Sequence, residues 1–420
     1  MPVIDVDSHF QGPFTWFDQE HPELAEQLPE VPAPMMINAL VTSLCGEALA
    51  TLPPEVRPDD MMELVPDLWK PLAEQFAAKS SLAEIDELIY ETDAPLGAGE
   101  LAPRIDRLFR AKGGWDMDER VCFLDEAGID VQLVSGNNAP VYPGLDPDLA
   151  KQCIAAANDS MIDRIGAHID RLLPITYVMM EDVEWSIAEM TRMRGLGSRA
   201  VHIRATPVEG KSLAHPHFDP FWAAVTDLGM VGYLHAGSGR AFVDPAWGNN
   251  GGVFDSVTIM GAAQYQQVPT MLCGALVTSG VFERFPTLTI VNAELGGHIW
   301  LPNFLGWMDA FVDDPKISSL QCKFDYPLKP SEYARRNVRV SPLPVVSMPV
   351  RDYLEDLDGM LVFSSDYPHP EGLDADAVQW YREHFGDIAA DVQGRFFSDS
   401  MAEVYERMGD PLDLPTPVAM

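Results

Sequence analysis

Eight short apolar runs divide this chain, and five of them end in residues of metal-ligand type. The endings are Asp7 and His9 in IDVDSHF, His202 in SRAVHIRA, His235 in VGYLHAGS, Glu294 in TIVNAELGG and Asp366 in LVFSSDYPH. The runs span 3–7, 130–135, 172–178, 199–204, 231–235, 288–294, 337–341 and 360–364. Most are near-continuous Val, Ile and Leu, as expected of parallel strands covered on both faces. Amphipathic helical segments lie between several of them, at 146–168, 184–194, 217–228 and 374–384. Strands alternating with helices predict an α/β chain folded as a (βα)8 TIM barrel. In that fold the C-terminal strand ends share one mouth. Three histidines and three carboxylates would converge there as a metal site with room for two ions.

The chain has 420 residues, against roughly 250 for a minimal barrel. The excess predicts one barrel domain over 1–420 with insertions. The first covers about 22–114, because strands one and two lie about 120 residues apart and a βα unit needs far fewer. It includes a helical stretch at 60–79. The second covers about 313–336. Either insertion can form a lid or part of the pocket, and a dimer contact or a solvated excursion is the plainer alternative. From Asp410 onward, three prolines suggest a tail.

Composition narrows the function. There are 28 basic and 64 acidic side chains, a net charge of −36. A nucleic-acid binder is expected to carry the opposite sign, and anionic membranes would repel this surface. No apolar run reaches transmembrane length, and MPVIDVDSHF lacks the pattern of a signal peptide. Cys45, Cys122, Cys153, Cys273 and Cys322 are scattered and form no C-x-x-C, which suits reduced thiols in a cytoplasmic enzyme.

Asp7 and His9 alternate along one strand, so both point to one face. In Ser364–Pro370 an apolar run enters an Asp and then a proline-stiffened turn carrying His369. Asp366 can ligate a metal or take a proton, and an Asx-turn is the plainer alternative. His235 precedes the Gly-rich Ala-Gly-Ser-Gly, where a substrate can approach closely. A lone buried Glu294 would be costly unless paired or metal-bound. His202 sits between Val201 and Ile203, so it faces inward if those two pack against helices. A core histidine with a backbone partner is its alternative. Arg104, Arg107 and Arg110, with Lys112 nearby, share a helical face that can hold a substrate carboxylate or phosphate, or simply meet solvent. Trp222, Trp247, Trp300 and Trp307 are expected mostly in core positions.

These motifs resemble the amidohydrolase-related family, in the branch of aromatic and aminomuconate acid decarboxylases and carbon–carbon hydrolases. The resemblance rests on D-x-H in VIDVDSH, on GYLHAGS, on FPTLTIVNAELGGHIWLPNFLGWMD and on FSSDYPHPEG. It implies an amidohydrolase-type barrel with Asp7, His9 and Asp366 as metal ligands. His235 would be a ligand or the base beside the metal, and Glu294 and His369 would line the site. Two positions depart from the pattern. Gly12 stands where many relatives carry Glu, and position 202 is His where related barrels are often small or neutral.

Three functions compete. One is a mononuclear zinc or manganese hydrolase or decarboxylase of a small carboxylic acid. The second is a binuclear oxygenase. Six donors exceed the roughly three that catalytic zinc takes, and mixed histidine and carboxylate sets suit non-haem iron. This pattern is similar to a diiron hydroxylase of the same barrel fold from platensimycin-type diterpenoid biosynthesis, which implies a bulky apolar acid or its coenzyme A thioester as substrate. The third is a binding protein with a dead site. Donor count, His202 and Gly12 favour the oxygenase with two iron ions, catalytic His235, Asp366 and His369, and a homo-oligomer allowed.

Overall fold

The computed structural model describes residues 1–29, 65, 67, 69–93, 95–97, 99, 102–136, 144–236, 266–321, 323–343 and 349–415. The Gly-rich stretch after Ala236, Trp247, Cys45, Cys322 and residues 60–64 of the expected helix lie outside them.

Seven parallel strands form one sheet in sequence order: β1 (Ile4–Asp5), β2 (Val131–Val134), β3 (Leu172–Thr176), β4 (Ala200–His202), β5 (Val231–His235), β6 (Ile290–Ala293) and β7 (Val338–Val340). The eighth apolar run is too irregular for a named strand, yet it closes the barrel. Val362 N–H donates to Val340 O at 3.1 Å on one side. On the other, Val6 N–H donates to Phe363 O at 3.1 Å and Asp366 N–H to Asp7 O at 2.9 Å. The chain is thus a TIM barrel, and its first and last strands meet where Asp7 and Asp366 stand.

Strand alternation divides the apolar residues into two layers. Ile4, Leu133, Ile175, Ala200, Tyr233 and Val291 face the interior. Val201, Ile203, Leu234 and Ile290 face the helices, against residues such as Phe221, Trp222 and Leu301. His202 and His235 therefore fall on the inner face, as the flanking Val201 and Ile203 predict. The Ser400–Arg407 helix plugs the opposite end with Met401, Val404 and Tyr405.

Local signals fix the helices that cover the sheet. Asp146 caps Pro147–Ile165 by accepting from the backbone of Asp148 and Leu149, with Pro147 in the first turn. Asp116 caps Met117–Ala127, and Gly128 ends it at φ 71°. Such a cap stabilises by about 1 kcal/mol. The first insertion contributes helices Lys70–Ala77, Leu82–Tyr90 and Ala102–Arg110. They build a small core of their own from Leu72, Phe76, Ile85, Ile89, Ile105 and Phe109. The second is mostly helical, with Pro315–Gln321 and Pro330–Asn337. Asp309 tethers the latter by accepting from Ser331 N–H at 2.9 Å. Among the described residues no helix is long and apolar enough to cross a membrane.

Candidate metal centre

Asp7, His9, His235, Glu294, Asp366 and His369 meet at the C-terminal mouth. Nε2 of His9 and Nε2 of His235 lie 3.2 Å apart. Asp7 Oδ1 is 3.4 Å from each of them. Asp366 Oδ1 is 3.4 Å from His9 Nε2, and Glu294 Oε2 is 3.5 Å from His235 Nε2. Donors held at about 2.1 Å by a tetrahedral ion lie about 3.4 Å from one another. The triangle of Asp7, His9 and His235 matches that spacing without rearrangement.

Burial gives an independent test of the fit. Asp7 is fully buried and Asp366 nearly so. Asp7 Oδ2 and Asp366 Oδ2 accept no hydrogen bond, and Asp366 Oδ1 meets only the His369 and His9 rings. A buried carboxylate left this way costs several kcal/mol unless a cation faces it. The donor set of imidazole and carboxylate suits zinc, manganese or iron.

The titrating groups show the same demand for positive charge. Burial pushes the Asp7 carboxyl up, but the charges and hydrogen bonds of His235 and His9 outweigh it and hold Asp7 well below the usual carboxylate range. Burial pulls His235 down, and Asp7 and Glu294 lift it to about 10. His369 is likewise opposed by burial and lifted by Asp366 to about 9. Glu294 is pushed up to about 8, first by burial and then by the charge of Asp366.

Second contacts orient these donors. His235 Nδ1 lies 2.6 Å from Ala236 O, which holds a proton on that nitrogen and turns Nε2 toward the site. Tyr233 donates its hydroxyl to Asp7 Oδ1 at 2.9 Å. The His369 ring stacks on His9 at 3.9 Å, with Nδ1 2.9 Å from Asp366 Oδ1. Glu294 and Asp366 have φ of 59° and 56°, and with Glu209 they are the non-glycine residues of positive φ among those described. Such backbone costs about 1–3 kcal/mol and gathers at functional sites.

The structure adds residues that the sequence reading passed over. Asp5 lies two residues before Asp7 and, next to the inward Ile4, turns to the outer face of the strand. Its carboxylate accepts from Gln132 Nε2 at 2.8 Å and from Ser365 Oγ at 2.5 Å, and burial raises its pKa to about 6. Arg120 is fully buried and donates to His9 O at 2.6 Å and Gln132 Oε1 at 3.1 Å. No local pattern marks it, since its partners lie on other elements. Glu371 joins Glu294 and Asp366 in a further donor group, and its side chain is exposed.

Other expected residues fall elsewhere. His202 enters none of the donor groups among the described residues. Its ring lies 5.1 Å from that of Tyr177. Burial and the charges of His235 and Arg204 lower it to about 3, so it is neutral. Arg104 is exposed, while Arg107 and Arg110 give their donors to protein oxygens. At Gly12 a Cβ would meet the Trp115 ring at 2.4 Å, so an aromatic face leaves no room for a side chain there. A cleft of about 1070 Å³ in the insertion is lined by Tyr90, Arg110, Trp115 and Arg164, and none of the mouth donors reaches it.

The amidohydrolase family model matches residues 109–407, more than two thirds of the chain. This chain belongs to the amidohydrolase family. A gamma-resorcylate decarboxylase of Polaromonas sp. is 24% identical over 237 residues, covering 54% of this chain and 66% of the relative. One of Rhizobium radiobacter is 23% identical over 43% of this chain and 55% of the relative. The matched region thus spans less than two thirds of these relatives' length. An amidohydrolase of Mycobacterium avium subsp. paratuberculosis shares the fold with a TM-score of 0.63 at 18% identity, over 96% of this chain and 99% of its own. The 5-carboxyvanillate decarboxylase of Novosphingobium aromaticivorans, solved with manganese and a hydroxy-methoxy-nitrobenzoic acid, gives 0.58 at 19% identity, over 96% of each chain.

These relatives overturn the diiron hydroxylase and leave the assignment to antibiotic biosynthesis without support. The relatives in sequence are gamma-resorcylate decarboxylases, the structure solved with manganese is a 5-carboxyvanillate decarboxylase, and the expectation of two iron ions finds no support among them. The physical error was to count donors by type. Six donor types at strand ends do not by themselves make two coordination shells, and the donor groups among the described residues do not include His202.

Proposed function

We propose that this amidohydrolase is a decarboxylase of a small hydroxylated aromatic acid that works with one divalent cation, manganese or zinc. The observation that carries this reading is the donor triangle with its orphaned buried carboxylate oxygens, set beside the stacked His369. Asp7, His9, His235 and Asp366 would hold the cation. When bound, it would act as a Lewis acid toward the phenolic oxygen and the carboxylate of the substrate.

Decarboxylation needs a proton at the ring carbon that bears the carboxylate. The carbon–carbon bond then breaks, its electrons return to the ring and carbon dioxide leaves. Glu294 faces His235 at 3.5 Å and shares a donor group with Asp366. His369 is bonded to Asp366 and stacked on His9. Both can hold or move that proton at the mouth. Asp366 fixes His369 through its Nδ1, so ring orientation and metal binding share one carboxylate. Ring protons from His235 and His369 balance the carboxylates before substrate and cation arrive. His202 would line the mouth as a neutral wall beside the cation.

The test is a panel of hydroxybenzoic acids incubated with manganese-loaded protein, with carbon dioxide followed directly. Release at the same rate with and without oxygen is expected. Turnover that requires oxygen and a reductant would overturn the reading.

A further inference from the structure

Arg107 lies on the insertion helix Ala102–Arg110, more than 260 residues before the turn that carries His369. Its Nη2 donates to His369 O at 2.7 Å, to Gly372 O at 3.0 Å and to Pro370 O at 3.5 Å. Its Nη1 reaches Asp374 Oδ2 at 3.3 Å. The turn is tightly folded on itself. His369 N–H donates to Asp366 O, Gly372 N–H to His369 O and Leu373 N–H to Ser365 O. A Cβ at Gly372 would stand 2.5 Å from Asp366 O, so the turn has no room for a side chain there. The folded turn gathers carbonyls around Nη2 while Nη1 reaches Asp374, and a single lysine ammonium cannot span both.

A second charge of the insertion grips the other side of the mouth. Asp86, on Leu82–Tyr90, accepts from Phe14 N–H at 2.7 Å, Thr15 N–H at 2.9 Å and Thr15 Oγ1 at 2.6 Å. Those residues lie five and six positions after His9, on the segment that leaves β1. Ile85 and Ile89 of one helix and Ile105 and Phe109 of the other share the insertion core. One small apolar unit therefore holds both the segment leaving β1 and the turn after Asp366.

We propose that the insertion is a brace for the catalytic mouth and that Arg107 is a positioning residue acting through His369. This deepens the decarboxylase reading and rests on it for the role of His369. The brace fixes the backbone of His369, which sets the ring on His9 and its Nδ1 on Asp366. It touches neither substrate nor cation.

The experiment joins two readouts on Arg107→Ala and Arg107→Lys. In amide hydrogen exchange of the metal-free protein, residues 369–374 should exchange about tenfold faster or more in both variants, and the barrel strands should not change. In the manganese-loaded protein, kcat should fall by about tenfold or more with KM and metal content near the wild type. Methylguanidinium should restore part of the kcat of Arg107→Ala, and Arg107→Ala should add nothing to His369→Ala. Unchanged exchange at 369–374 would overturn the brace. An equal loss of kcat in the His369→Ala background would overturn its action through His369. If wild-type protein releases no carbon dioxide, the decarboxylase reading fails while the exchange readout still decides the brace. Should Arg107→Ala not fold, Arg107→Lys carries both readouts.

Discussion

His235 and His202 end neighbouring strands, face the same interior and reach opposite states. His235 is lifted to about 10 and His202 is lowered to about 3. Burial lowers both. The difference is in the company each ring keeps. Asp7 Oδ1 at 3.4 Å and Glu294 Oε2 at 3.5 Å stand beside His235. Among the described residues, the charges that act on His202 are the cations His235 and Arg204. A strand-end address admits a side chain to the mouth, and carboxylate neighbours decide whether positive charge is favoured there.

The comparison breaks most readily at the donor triangle. Asp7→Ala or His9→Ala should abolish tight manganese binding and lower turnover by about 10³-fold or more, read by metal analysis of folded protein and by carbon dioxide release. Retention of the metal in both variants would dissolve the contrast.

A smaller effect is expected one step away. His369→Ala should keep the metal and lower kcat by about 10²-fold, the usual scale for a lost general acid or base. Loss of metal in that variant would move His369 among the ligands.

The buried network beneath the triangle should appear as stability. Arg120→Met removes the donor to His9 O and Gln132 and leaves Asp5 without its nearby cation. It should cost about 3 kcal/mol in urea unfolding. An unchanged midpoint would show that Asp5 and Gln132 hold β1 alone.

The smallest effect belongs to His202→Ala. It should retain one ion per chain and lose less than about tenfold in turnover.

The barrel was legible because parallel strands covered on both faces read as unbroken apolar runs, and the flanking Val201 and Ile203 settled the inward face of His202. The eighth run was legible as apolar, though its pairing by isolated hydrogen bonds was not. D-x-H placed Asp7 and His9 on one face. Their convergence with His235 at the mouth was expected, but the donor distances were hidden, because they depend on register across strands far apart in sequence. The positive φ of Glu294 and Asp366 was hidden for the same reason: the fold imposes it. The Arg104, Arg107 and Arg110 stripe was visible as a helical face, but the carbonyls that take up Arg107 lie more than 260 residues away. Sequence periodicity reports which way a side chain points on its own element. It does not report what waits there.

The most direct test of the central claim is a crystal of the manganese-loaded protein measured for anomalous scattering, with metal counted in the same sample. One peak per chain, bounded by Asp7, His9, His235 and Asp366, is the predicted result. Two peaks per chain, or a peak coordinated by His202, would contradict it.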